Sequence, residues 1–280
     1  YREGNTELFK SFKLDMRIGL FDSGIGGFTV LKKVIELCPN NSFIYLADTA
    51  RLPYGVKTTN EIKKIAEEIS SWFSYQNIDA FLVACNTTNA IALDVIKNNL
   101  DIPVFDLIGS AASTIQESRV GVLATPSTVK TKAYTNAILE FKPKTFVIEQ
   151  PCPAFVPMIE MDNINSDDIT DVATGYLQPL LKQKIHSLIL GCSHYPLITP
   201  SLRKVLPSSV KLIDPAEALS FKLKLFIDSK TSNYSKNKNF VDLKFYVTSN
   251  LKNFPNKAKH WLNVFPEVNL VSLQKKGWVS

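Results

Sequence analysis

Two short stretches of the chain end in groups that can move protons. Leu188-Ile189-Leu190 runs into Gly191-Cys192-Ser193-His194-Tyr195-Pro196, and Phe81-Leu82-Val83-Ala84 runs into Cys85-Asn86-Thr87-Thr88. In both, an apolar run with the character of a buried parallel strand stops at a thiol flanked by hydroxyl, amide or imidazole groups. Ligands of open α/β sheets gather at the carboxyl ends of the strands, so each thiol stands where a bound molecule would lie. Thiols on two opposing walls suit the inversion of a carbon stereocentre. One thiolate removes the proton from Cα while the opposite thiol delivers another. The ordinary cysteine pKa of about 8.5 is close enough to neutral for neighbours to bring it into range. The plainer reading is a pair of buried structural cysteines. Their place at strand ends beside polar groups favours chemistry.

Other residues could assist. Asp22, at the end of an apolar run, could accept a proton or orient a thiol, or simply cap the following helix. The stretch Ser23-Gly24-Ile25-Gly26-Gly27 offers backbone N–H groups at a helix start, a cradle for a carboxylate or phosphate. It lacks the Gly-Lys-Ser/Thr of a phosphate-binding loop, and its glycines do not fit the dinucleotide fingerprint. His194 could tune Cys192 or donate a proton. A Cys-x-His pair can bind zinc, but His186 and His260 lie near no second cysteine motif, so no metal is expected. A cysteine phosphatase needs Arg six residues after its thiol, where Ile91 and Ile198 stand here. Glu160, by spacing alone, reads as a surface residue.

These groups need a folded frame, and the composition supplies one. The 280 residues are 45% hydrophobic and 21% charged, which fits a globular protein with a sizeable core in one large domain or two ordinary ones. No apolar run reaches the roughly 18–20 residues of a membrane span. Four cysteines without framework spacing point to free thiols in the reducing cytoplasm. Residues 1–15 read as a tag, leader or extension before Met16. The net charge is +6, and lysines crowd residues 221–280. They are scattered among apolar and aromatic positions, so a solvated face is expected and a nucleic-acid partner is not.

Strands at 17–21, 43–47, 80–84 and 104–106 alternate with helical patterns at 28–37, 59–75 and 89–99, which argues for a parallel sheet. The pattern then restarts. Arg119-Val120-Gly121-Val122-Leu123 echoes Arg17-Ile18-Gly19-Leu20-Phe21, and Phe146-Val147-Ile148 echoes Phe43-Ile44-Tyr45. Cys192 echoes Cys85, and Leu212-Ile213-Asp214 echoes Val104-Phe105-Asp106. Four landmarks at a nearly constant offset indicate an internal duplication. The expected architecture is α/β: two pseudo-symmetric three-layer lobes with mostly parallel sheets and the active site in the cleft between them. The first lobe would comprise 16–109 plus 222–280, and the second 110–221.

Taken together, Phe21-Asp22-Ser23-Gly24-Ile25-Gly26-Gly27, Asp48-Thr49-Ala50-Arg51-Leu52-Pro53-Tyr54-Gly55, Ala84-Cys85-Asn86-Thr87, the run from Cys152 to Glu160, and Gly191-Cys192-Ser193-His194-Tyr195-Pro196 closely resemble the glutamate racemases of the aspartate/glutamate racemase superfamily. The resemblance implies a cofactor-independent, two-base mechanism on glutamate. Cys85 would take the proton from D-glutamate and Cys192 from L-glutamate, with Asp22, Glu160 and His194 assisting. Asp22, Ser23, Pro53, Tyr54, Gly55, Cys85, Asn86, Thr87, Cys192, Ser193 and His194 would bind substrate. It further implies D-glutamate supply for bacterial peptidoglycan, hence for the cell wall and cell shape, and a cytoplasmic homodimer with no membrane partner. Lobe closure is expected about linkers near 107–110 and 214–216.

The chain departs from the family at Ser193, where Thr is usual. The hydroxyl survives, but the methyl that restricts its rotamer is lost, so a modest effect on affinity is expected. A racemase for aspartate would tend to carry Glu at the position of His194. A two-lobed amino-acid binding protein would have no use for paired thiols.

Overall fold

The computed structural model describes residues 16–162, 164, 167–230 and 242–273. The stretch 1–15 and part of the lysine-rich C-terminal segment lie outside the described residues.

Among the described residues ten strands form two sheets, and every pairing is parallel. The strands are β1 (Arg17–Asp22), β2 (Ser42–Ala47), β3 (Ala80–Val83), β4 (Val104–Asp106), β5 (Arg119–Ala124), β6 (Phe146–Pro151), β7 (Ser187–Gly191), β8 (Lys211–Ile213), β9 (Leu243–Val247) and β10 (Val268–Leu270). The six-stranded sheet has the order β10-β9-β2-β1-β3-β4 and the four-stranded sheet the order β6-β5-β7-β8. Helices cover both faces of each, which is why β1, β3 and β7 read as continuous apolar runs. The α/β architecture expected from the sequence is therefore present.

The duplication extends to register. β2-β1-β3-β4 and β6-β5-β7-β8 have the same strand order. Gly19 of β1 stands opposite Ile44 and Phe81, while Gly121 of β5 stands opposite Ile148 and Leu188. Each glycine makes room for an isoleucine just ahead of the third strand of its half. A Cβ on Gly19 would lie 2.7 Å from Ile78 Cδ1, and one on Gly121 would lie 2.8 Å from Ile185 Cδ1.

Alternation within the strands divides the interior into layers. In β1, Ile18 and Leu20 join Phe28, Tyr45, Phe245 and Phe254 on one face, whereas Phe21 joins Trp72, Phe73 and Phe81 on the other. In β5, Val120 and Val122 face Tyr134 and Ile138, whereas Leu123 faces Phe155 and Leu190. Tilted and edge-on contacts tie Phe28, Tyr45, Phe245 and Phe254 together at centroid separations of 5.1–6.3 Å, a geometry that adds to the burial of large apolar surface. Among the described residues no helix is long and apolar enough to cross a membrane.

Two local expectations differ from the structure. The helix after Cys85 begins at Asn86 and runs to Asn99 with a kink at Ala92, so it starts three residues before the apolar periodicity does. The stretches 107–110 and 214–216 are not extended linkers. Asp106 accepts a hydrogen bond from Gly109 N–H at 2.6 Å and caps the helix Leu107–Ala112. Asp214 accepts from Ala216 N–H at 2.9 Å where the helix Pro215–Lys230 begins, and that helix buries Ala216, Leu219, Leu223 and Ile227 against the core of the six-stranded sheet.

Candidate active site

Because the strands are parallel, their carboxyl ends point one way within each sheet and deliver polar residues to one edge. Asp22 ends β1, Cys85 lies two residues beyond β3, and Cys192 follows β7 directly. Both thiols line the same small cavity, which encloses about 20 Å³. Ser23, Tyr54, Gly55, Asn86 and Thr87 complete the Cys85 side. Ser193, His194, Thr125 and Val156 complete the Cys192 side. Of the residues singled out in the sequence, Pro53, Asp22 and Glu160 do not form its wall. Pro53 precedes Tyr54 and follows Leu52 across a cis peptide. Asp22 and Glu160 act from behind. Thr125 and the supporting Tyr134 had no sequence signal beyond their place in the second half of the repeat, and Val156 lay in the Cys152–Glu160 run without being singled out as a wall residue.

Asp22 is fully buried. Its Oδ1 accepts from Gly24 N–H at 2.8 Å and its Oδ2 from the Ser193 hydroxyl at 2.8 Å. Ser193 therefore spends its hydroxyl on holding Asp22. Burial raises the Asp22 pKa despite the opposing pull of His194 and of these hydrogen bonds. Cys85 Sγ lies 3.9 Å from the Ser23 hydroxyl, and burial together with the Asp22 carboxylate pushes the thiol up to about 12. Cys85 thus rests as a protonated thiol.

The Cys192 side is built differently. Cys192 Sγ lies 3.8 Å from His194 Nδ1, and His194 Nε2 lies 2.9 Å from Glu160 Oε1. Burial opposes a charge on His194, but its hydrogen bonds to Cys192 and Glu160 outweigh burial and lift its pKa well above the ordinary imidazole value. Both ring nitrogens are engaged, Nδ1 by Cys192 and Nε2 by Glu160, an arrangement that favours the charged form of the ring. Glu160, for which spacing alone indicated a surface position, ends the helix Phe155–Glu160. Burial works against its ionisation, yet His194 and Lys257 together hold it down to about 2.

Straps between the two halves fix the wall. The Thr87 and Thr125 hydroxyls are 2.9 Å apart, and the Ser127 hydroxyl donates to Gly55 O at 2.8 Å. The Tyr134 hydroxyl donates to Asn86 Oδ1 at 2.6 Å. Thr29 donates to Ser193 O at 3.0 Å. Gly26 lies closest: a Cβ there would sit 2.4 Å from His194 Nδ1 and 2.5 Å from Ser193 Oγ, so no side chain fits. Tyr54 is steered by buried Asp48, whose Oδ2 also takes Arg51 Nε at 2.6 Å and whose Oδ1 takes the Thr248 hydroxyl at 2.7 Å.

A cleft of this kind, with a thiol on each wall and a largely shielded carboxylate–imidazole pair behind one of them, is equipped for proton transfer at two faces of a small molecule. Residues 18–220 match the Asp/Glu/Hydantoin racemase family. The chain is 97% identical over 265 residues to the glutamate racemase of Prochlorococcus marinus (strain NATL2A), covering 95% of this chain and 100% of that one. It is 44% identical to the glutamate racemase of Synechococcus sp. (strain CC9605), over 90% and 96% of the two chains. The crystal structure of the Francisella tularensis glutamate racemase in complex with D-glutamate superposes with a TM-score of 0.86 at 36% identity, covering 94% of this chain and 99% of that one. The chain belongs to the Asp/Glu/Hydantoin racemase family. Within that family it is an isomerase of the glutamate racemase group.

Proposed function

We propose that the protein interconverts L-glutamate and D-glutamate by a two-cysteine, two-base proton transfer. The observation that carries this reading is the shared cavity with Cys85 on one wall and Cys192 on the other. In the L-to-D direction the Cys192 sulfur, paired with the His194 ring at 3.8 Å, takes the Cα proton, and the Cys85 thiol delivers its own proton to the opposite face. The reverse direction starts from the Cys85 thiolate. The Cα–H bond breaks as the S–H bond forms on one side, and the reverse exchange on the other side restores the carbon.

Proton removal leaves charge on the α-carboxylate, and fixed dipoles in a site closed to water stabilise it. Asn86 is suited to this stabilisation, because its side-chain oxygen is occupied by Tyr134, which turns its NH₂ group to the substrate. The N–H groups opening the helix Asn86–Asn99 and the Thr87 hydroxyl add to this cradle. Asp22 and Glu160 assist through Ser193 and His194. A cavity of about 20 Å³ holds about one water. Glutamate therefore enters by separation of the two halves, and closure follows binding. We divide the chain for this motion near 109 and near 215 instead of at 222, because the helix Pro215–Lys230 packs as one piece on the six-stranded sheet. A homodimer in the cytoplasm, supplying D-glutamate to peptidoglycan synthesis, completes the proposal.

The test is incubation with L-glutamate in D₂O. Decay of the circular-dichroism signal with deuterium entering at Cα is the expected result. A stable signal and unexchanged Cα would refute the reading.

A further inference from the structure

The hydrogen-bonded chain behind Cys192 continues past the motifs. Lys257 Nζ donates to Glu160 Oε2 at 2.8 Å and to Glu160 O at 2.9 Å. The other carboxylate oxygen, Oε1, takes His194 Nε2 at 2.9 Å and the Ile25 N–H at 3.4 Å. Glu160 is thus gripped from two directions, one oxygen for each cation. Both side chains are largely shielded, with 22% of Lys257 and 20% of Glu160 exposed, so the pair is more than a solvated surface contact.

The two partners come from opposite halves of the molecule. Lys257 stands on the helix Phe254–Leu262, which seats Phe254 and Ala258 in the core of the six-stranded sheet beside Phe28 and Tyr45. Glu160 stands on a helix whose Phe155, Val156 and Ile159 belong to the core of the four-stranded sheet. Separating the halves would draw the ammonium away from the carboxylate. Closing them restores a three-membered array whose last member, His194, touches Cys192.

We propose that Lys257 is a positioning residue for racemisation, clamping the Glu160 carboxylate against His194 by joining the Cys192–His194–Glu160 array only when the two halves are closed. This rests on the reading above, in which Cys192 and His194 exchange protons with substrate. Lys257 itself transfers nothing. The ionisable groups facing Glu160 are His194 from the loop after β7, Lys257 from the C-terminal helix and, at longer range, Asp22 from the end of β1 and Tyr45 from β2. With Lys257 present, the carboxylate divides its charge between two cations. Without it, the whole charge falls on His194, which holds its proton more tightly and is no longer fixed in place by closure.

Lys257→Met, Lys257→Gln and Lys257→Arg decide the matter. In the Met and Gln variants kcat falls about tenfold in both directions while KM changes less than about threefold, because the lost interaction matters to the closed, reacting state. Their alkaline limb moves to higher pH, and Arg restores most of kcat and the normal limb. An NMR titration of the His194 ring, one of only three histidines in the chain, reads the same effect without turnover. It moves upward by about half a pH unit or more in Lys257→Met. Unchanged kcat, a change in KM alone, or a His194 titration identical to that of the unsubstituted protein would overturn the proposal. Should the unsubstituted protein fail to exchange the Cα hydrogen, the racemase reading fails, and the ring titration still decides whether Lys257 governs His194.

Discussion

The two halves of the site share a backbone plan and differ in charge. Cys85 and Cys192 occupy equivalent places after the third strand of each repeat, and Gly19 and Gly121 hold matching registers. Beyond that the likeness stops. Cys85 is followed by an amide and two hydroxyls and has the buried Asp22 carboxylate near it, so it stays a thiol. Cys192 is backed by an imidazolium, a carboxylate and an ammonium in series. Duplication supplies the mirror-like geometry that two-sided proton transfer needs. Local substitutions then place a buried carboxylate near one thiol and an imidazole ring against the other.

The sharpest way to break that comparison is to remove one thiol at a time. Cys85→Ala and Cys192→Ala each lower inversion by about a thousandfold or more, followed by circular dichroism. In D₂O, Cys192→Ala exchanges Cα only in D-glutamate and Cys85→Ala only in L-glutamate. Exchange in the opposite sense would reverse the assignment of walls. His194→Gln, which removes the cation from one side alone, costs about a hundredfold in kcat by steady-state assay. Glu160→Gln costs about tenfold and moves the alkaline limb to lower pH, because the carboxylate is one of the groups that raises His194.

The same pair gives a stability signature. Glu160 is held at about 2 in the folded protein, so its bonds stabilise the fold above the usual carboxylate value of about 4.3 and are lost as pH falls towards 2. The melting temperature of Glu160→Gln therefore falls less steeply across that window than that of the unsubstituted protein. His194, raised instead of lowered, contributes fully below about 6.5 and loses its contribution as pH climbs through its raised value. Smallest of all is Ser193→Thr. The hydroxyl bonded to Asp22 is retained and the added methyl restricts its rotamer, so KM changes by less than about threefold with kcat preserved.

Much of this was legible in the residues. Apolar runs of four to six residues marked the strands because parallel sheets bury both faces, and the recurrence of Gly, Cys and Asp at matched places exposed the repeat. Cys85, Cys192 and His194 could be read as a proton-transfer set because their chemistry sits at strand ends. Glu160 entered only through the family resemblance, since nothing in its own neighbourhood tells that a short helix turns it towards His194. Lys257 was hidden more deeply, as one lysine among the many crowding the C-terminal segment. Its partner lies 97 residues away in sequence, and only tertiary packing selects it. The stretch 107–110 misled because Asp106 caps a helix too brief to show periodicity.

Gly26 imposes a rule on the whole machine. A single methyl at that position would wedge between the glycine-rich turn and the imidazole ring, a doorstop between the halves. Either the glycine-rich turn would be pushed back, or the ring would swing off its sulfur. The tolerance of this contact is therefore measured by the width of one hydrogen atom, and Gly26 is a position outside the Cys192 wall from which the smallest change of side chain would press on it.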